Sequence, residues 1–350
     1  DNITWILQTT SVANDGIVKP EVKDSVVEDQ SGNLVPGSED DADASPTDNA
    51  VVLDRVAPTV SVGADLAGNT ATVLSNASAS DDLTMTYLWE KTGGGANFSF
   101  DDATTLNPTF SATATDVYTL RLTVTDAAGN TASDSLDFDW DESAASVGID
   151  APAAGTYING ANESSFAVTG TCSEDDRDVV LTGDASATVS CSGGTWSANL
   201  DFSGAAEGTV TLLADHTDAQ GNDATQASQD FSKDTESPDV TINQATGQTD
   251  DPTNGLPVEF TVVFDEPIDP DTFTAADITQ KAVAGAAVAV TYAITNNTAD
   301  TTFTVNATIV GTPGILSPEL LAGVVDDVAG NGSHASTSTD GAVTYELTAP

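Results

Sequence analysis

The chain has 350 residues, 55 of them acidic and 8 basic, for a formal net charge of −47 with both histidines neutral. A negative field of that density repels phosphate backbones and anionic lipid headgroups, which argues against a nucleic-acid partner and against an acidic membrane surface. Apolar residues reach 39%, and no run of them approaches the ~20 residues of a spanning helix, so no membrane insertion is expected of this segment. Asp1 opens directly on DNITWILQTT, without the basic start and apolar stretch of a secretion signal. The sequence reads as a piece of something longer, acidic and extracellular.

The first recurrent element begins at Asp29. The pattern D-x-x-G-N runs there from Asp29 to Asn33, and again from Asp126, Asp218 and Asp327, at intervals of 97, 92 and 109 residues. Each copy follows an alternating or apolar run and precedes another strand-like stretch. Gly-Asn behind an acidic lead suits a hairpin loop that needs one residue at positive φ. A second element, an acid four residues before a proline, stands at Asp54 to Pro58, Asp234 to Pro238 and Glu346 to Pro350. Proline lacks an amide proton, so it ends strand pairing and opens the next unit. A period near 100 residues predicts an all-β chain of tandem immunoglobulin-like β-sandwich domains, arranged as a linear rod.

Residues 1–56 read as the C-terminal half of such a domain. GIVKPEVKDSVVEDQSGN from Gly16 aligns without a gap with GILSPELLAGVVDDVAGN from Gly314, and TDNAVVLD parallels TDGAVTYE. Half a sandwich cannot cover its own apolar face, so strands from elsewhere, or from another chain, are expected to complete it. Residues 57–147 read as one domain: Trp89 falls where a sandwich keeps its core tryptophan, and Tyr118 has the spacing of a tyrosine corner. Tyr118, Leu120, Leu122 and Val124 alternate with Thr119, Arg121 and Thr123, which predicts one buried face. The run Y-x-W, the later Y-T-L-x-L-x-V-T-D and D-A-A-G-N together resemble a PKD domain.

Residues 148–236 and 237–350 read as two further sandwiches. The third domain departs from the PKD pattern, with Thr209 where the corner tyrosine would stand. Cys172 and Cys191, the only cysteines, read as a disulfide, since an even pair in an exported protein favours one. Openings such as VTINQATGQTDDPTN and endings such as STSTDGAVTYELTAP resemble the tandem immunoglobulin-like repeats of very large bacterial surface proteins and adhesins. That resemblance implies a stalk or spacer role and no activity.

Enzyme motifs are missing. His216 and His334 lie in different domains beside D-x-x-G-N loops and read as solvated loop residues. Neither a metalloprotease helix, a nucleophile elbow nor a phosphate loop occurs. The sharper expectation is calcium at domain junctions. In a sandwich the loop between the sixth and seventh strands (FG) lies at the pole the chain enters, beside the loop between the second and third (BC). Asp54 of the linker would then meet Asp81 and Asp82 (BC) and Asp126 and Asn130 (FG). In the third domain Asp141 would meet Asp175, Asp218 and Asn222. In the fourth, Asp234 and Glu236 would meet Asp265, Glu266, Asp269 and Asp271, with Asp327 and Asn331 from the FG loop. Calcium takes six to eight oxygens, which such clusters can supply; the bland alternative is solvated acid and turn chemistry.

These features predict a non-catalytic stalk segment of a secreted bacterial cell-surface protein, stiffened at its junctions and partnered by neighbouring domains or copies of itself. A surface receptor or a polysaccharide is a further partner class. Two alternatives stand beside it: a filament subunit completed by strand complementation, or accessory modules of a secreted carbohydrate-active enzyme or protease, in which Trp5, Trp89, Trp140 or Trp196 would meet sugar.

Overall fold

The computed structural model describes residues 16–18, 51–248, 250–281 and 288–347. Their regular structure is β-strand throughout, apart from single 3-10 turns at Glu163–Ser165 and Pro270–Thr272. Contacts divide the chain into two units, residues 1–143 with 219–222, and residues 144–218 with 223–350. The first holds one hydrophobic core among the described residues and the second holds two.

In the first unit the long strand Asp116–Asp126 is flanked on both sides by antiparallel partners, Met85–Lys91 and Thr131–Trp140. Leu66–Gly68 then joins Thr131–Trp140 in parallel. The opposing layer pairs Thr109–Ala112 with Phe98–Phe100 and Thr72–Val73, and Thr59–Ser61 with Ser78–Ser80. Strict alternation decides the core: Tyr118, Leu120, Leu122 and Val124 are fully buried, as the sequence predicts. Tyr118 donates its hydroxyl to the Ala114 carbonyl at 2.9 Å, four residues upstream, the tie that defines a tyrosine corner. Trp89 is buried and donates Nε1 to Leu106 O at 3.1 Å.

A short pair, Gly16–Val18 with Val51–Leu53, also belongs to this unit, with Gly16 opposite Leu53. Near the other end of the chain, Gly314–Leu316 pairs with Val343–Tyr345, and Gly314 stands opposite Tyr345. The gapless alignment of these segments is thus also an alignment of pairing register. The D-x-x-G-N copy at 29–33 and Trp5 lie outside the described residues.

The second unit carries two sandwiches. In the first of them Tyr157–Ile158 runs parallel to Ala227–Lys233, followed across the sheet by Gly208–His216, Asp178–Gly183 and Ala187–Ser190. Phe166–Thr171 pairs with Thr195–Leu200 in the other sheet. The Cys172–Cys191 disulfide is formed, across 19 residues of sequence. Cys172 follows Phe166–Thr171 and Cys191 follows Ala187–Ser190, so the bond ties the two sheets together. Residues 144–147, read from sequence as the end of the preceding domain, group here instead, with Val147 bridged to Cys172.

The last sandwich sets Val240–Gln244, Val258–Phe264, Thr302–Ile309 and Val290–Thr298 side by side. Ile278–Gln280 with Pro318–Leu320, and the Gly314–Leu316 pair, cover them. Phe264, Phe273 and Phe303 meet edge to face in its core, the geometry that aromatic quadrupoles favour.

Candidate metal centre at the domain junctions

The D-x-x-G-N loop keeps one glycine conformation at each described copy, and its aspartate is bonded alike at Asp126 and Asp327. Its glycine lies in the left-handed region, with φ of 92° at Gly129, 93° at Gly221 and 90° at Gly330. A side chain there is strained, which is why glycine stands at that position. The aspartate turns its carboxylate over the loop. Asp126 Oδ1 accepts from the amides of Ala128 (2.8 Å) and Asn130 (2.9 Å), and its Oδ2 accepts from Asn130 Nδ2 (2.8 Å). Asp327 likewise accepts from the Asn331 amide and from Asn331 Nδ2, both at 2.8 Å.

With its backbone held, each asparagine projects one carboxamide onto the incoming chain. Asn130 Nδ2 donates to Asp54 O at 3.1 Å, Asn222 Nδ2 to Asp141 O at 2.8 Å, and Asn331 Nδ2 to Asp234 O at 2.9 Å. The second of these lies wholly in the first unit, to which residues 219–222 belong. Each linker acid is therefore fixed by its own carbonyl, and at Asp54 and Asp234 the carboxylate joins a cluster with the loop acids.

Two carboxylate triads follow from this arrangement. Asp54, Asp81 and Asp126 bring ligand oxygens within 4.8 Å of one another, and so do Asp234, Glu266 and Asp327. Each combines a linker acid, a BC-loop acid and the buried FG-loop aspartate. They are topological equivalents. In the second triad, burial and the neighbouring charges of Asp234, Asp327, Asp265 and Glu236 push the Glu266 carboxyl up to about 7. Burial and the Asp327 charge also raise Asp234. In the first triad, burial acts to raise Asp126, but the bonds from Asn130, Ala128 and Gly129 outweigh it and hold the group below the usual aspartate range.

The other expected carboxylates stand outside the two triads. Asp82 is exposed and outside the triad. Asp265 turns back to accept from the Asp239 amide at 2.8 Å, and the next residue, Glu266, takes its place. Asp141, Asp175 and Asp218 enter neither triad. The Asp141 carboxylate is engaged by Thr115 Oγ1 (3.0 Å) and the Ser143 amide (2.8 Å), and Asp175 accepts from the Gly194 amide (2.9 Å). Asn130, Asn222 and Asn331 commit their Nδ2 groups to linker carbonyls.

His216 corrects the sequence reading: it is buried on the inward face of its strand, with Nδ1 2.9 Å from Asp178 O. His334 is exposed and pairs with Asp239. Trp89, Trp140 and Trp196 are all buried, so none offers a sugar-stacking face. Lys233, which the sequence does not single out, is buried beside Asp234 and bonds Glu163 (3.1 Å), Glu207 (3.5 Å) and Ala205 O (2.9 Å), anchoring the linker's root.

Residues 62–137 match a family model that describes a PKD domain. That segment is PKD-like. No curated protein sequence matches the chain. Similar solved structures include a 1.5-MDa bacterial ice-binding adhesin, at 15% identity over 78% of this chain and 90% of that chain, with a TM-score of 0.35. The Escherichia coli adhesin FdeC matches at 16% identity over 83% and 96%, with a TM-score of 0.35. A tetra-tandem repeat from the extending region of a large adhesion protein matches at 17% identity over 95% and 82%, with a TM-score of 0.31.

Proposed function

We propose that this chain is a non-catalytic spacer segment of a large secreted bacterial cell-surface protein of the adhesin kind, whose domain junctions are stiffened by calcium. One observation carries the reading: a linker acid, a BC acid and a D-x-x-G-N aspartate converge twice, at equivalent places in two different sandwiches. Sheer abundance of acid would scatter such groups. Here the FG-loop aspartate of each triad is held by the same loop, and the linker acid by the same carbonyl clasp.

The donor set is all carboxylate oxygen, the chemistry of a hard divalent cation. Unpaired carboxylates about 5 Å apart repel by roughly 1 kcal/mol per pair even in water. Burial first, and that repulsion with it, raises the Glu266 and Asp234 carboxyls, and a bound cation would reverse the sign of the repulsion. Because each triad spans a linker and two loops, filling it would hold the linker against the domain that follows. The PKD-like segment, the repeated design and the strong negative charge agree with a spacer.

Calorimetry of the full chain in EDTA and in 10 mM calcium tests this. Extracellular sites of this kind bind at about 0.1–1 mM, which predicts roughly 1.4–2.7 kcal/mol of added stability per filled site. Asp327→Asn is expected to abolish the gain for the last domain only. Identical melting profiles with and without calcium would remove the ion from this reading.

A further inference from the structure

The downstream end of each described sandwich repeats a second construction. An early strand pairs in parallel with the last strand, ending at Gly68 opposite Trp140, at Ile158 opposite Lys233, and at Thr253 opposite Tyr345. The next residue on each side forms a couple: Asn69 with Asp141, Asn159 with Asp234, and Asn254 with Glu346. In all three the acid's amide donates to the carbonyl just before the asparagine. These are Asp141 to Gly68 O (3.2 Å), Asp234 to Ile158 O (2.9 Å) and Glu346 to Thr253 O (2.9 Å).

Two of these couples hold the asparagine of a D-x-x-G-N loop. In the first unit Asn222 donates to Asp141 O and accepts from Asn69 Nδ2 at 2.9 Å. In the second, Asn331 donates to Asp234 O and accepts from the Gly160 amide at 2.9 Å, while Asn159 Nδ2 reaches Ala329 O at 2.8 Å. The third couple faces solvent. Asn254, Gly255 and Glu346 are exposed, with the apolar side chains of Leu256 (42% exposed) and Leu347 (67%) beside them in sequence. The Gly255 amide is folded back onto Thr253 Oγ1 at 3.1 Å.

We propose that Asn254 and Glu346 form a docking socket for the D-x-x-G-N loop of a further sandwich domain carried on the same polypeptide. The occupant follows from the chemistry of the two filled sockets. Each presents a carbonyl acceptor and an amide donor side by side, and a carboxamide satisfies both at once. A carboxylate lacks the donor and an ammonium lacks the acceptor. Reach follows from the sequence, since Glu346 stands four residues before Pro350 just as Asp234 stands four before Pro238. The socket uses the main-chain carbonyl of the linker acid, whereas a triad uses its carboxylate, as Asp234 does in both, so the clasp itself does not require calcium.

The test extends the full chain after Pro350 with a second copy of residues 239–350. Spin labels are placed on introduced cysteines in the fourth domain and in the added one; the native pair is already oxidised. Distances are measured by pulsed electron resonance in EDTA, which separates this outcome from the fate of the calcium reading. A single narrow distance distribution is expected, roughly doubling in width in Asn254→Ala, because unclasped tandem domains move freely. Asn254 is exposed, so folding of the variant is safe. Equal widths in both proteins would overturn the socket. So would concentration-dependent pairing of the unextended chain that Asn254→Ala abolishes, which would make a second copy the occupant.

Discussion

A single carboxamide carries much of each junction. Asn331 is almost wholly buried and uses its two Nδ2 protons on Asp234 O and Asp327 Oδ2. Asn331→Asp removes both donors and sets a second carboxylate against Asp327. We expect it to destabilise the last sandwich by about 2–3 kcal/mol, read as a lower urea midpoint, with Asn331→Ala at the smaller end. Tyr118→Phe isolates a different tie: loss of the Ala114 bond is expected to cost about 1 kcal/mol and to lower that domain's Tm by about 4–8 °C. Tyr118 was legible in the sequence because its spacing and alternation are local. The choice between Asp265 and Glu266 was not. It depends on which carboxylate finds the Asp239 amide, a partner 26 residues away.

At the scale of elements, the loop is a backbone device before it is a site. Gly129, Gly221 and Gly330 share one left-handed conformation, and Gly330→Ala is expected to cost about 1–2 kcal/mol although its site on the surface is not crowded by main chain. The same variant should weaken any calcium response of the last domain, because the turn aims Asn331. Removing the cross-sheet disulfide, by Cys172→Ser with Cys191→Ser, is expected to lose about 3 kcal/mol in a denaturant titration. Strands, turns and the cysteine pair were readable because alternation, glycine and parity are written locally. The parallel pairing that creates the Asn69, Asn159 and Asn254 couples was not, since it joins residues more than 70 positions apart. His216 misled for a related reason: its position beside a turn looked solvated, but strand parity turns it inward with Val210, Leu212 and Ala214.

For the molecule as a whole, charge makes stability a function of pH and of cations. Glu266 moves from an ordinary 4.5 to about 7 on folding. The folded state thus favours its proton, so the stabilising contribution is complete below pH 4.5 and is lost as pH rises through about 7. In EDTA the last domain's Tm is expected to fall across that window, and Glu266→Gln should flatten the fall. Calcium should oppose it, most strongly near the upper limit, where the carboxylate is ionised.

The bond between Cys172 and Cys191 has a consequence under tension. If the chain is pulled from its ends, the residues between the cysteines cannot unspool, because the path shortcuts through sulfur. Nineteen residue steps, at about 3.3–3.6 Å each, are withheld, so roughly 60 Å of contour stays locked until a reductant releases it. In a force spectrometer, that domain's rupture should give a step shorter by this amount in oxidising buffer than in reducing buffer. The surrounding thiol balance would then set how far the tether can stretch.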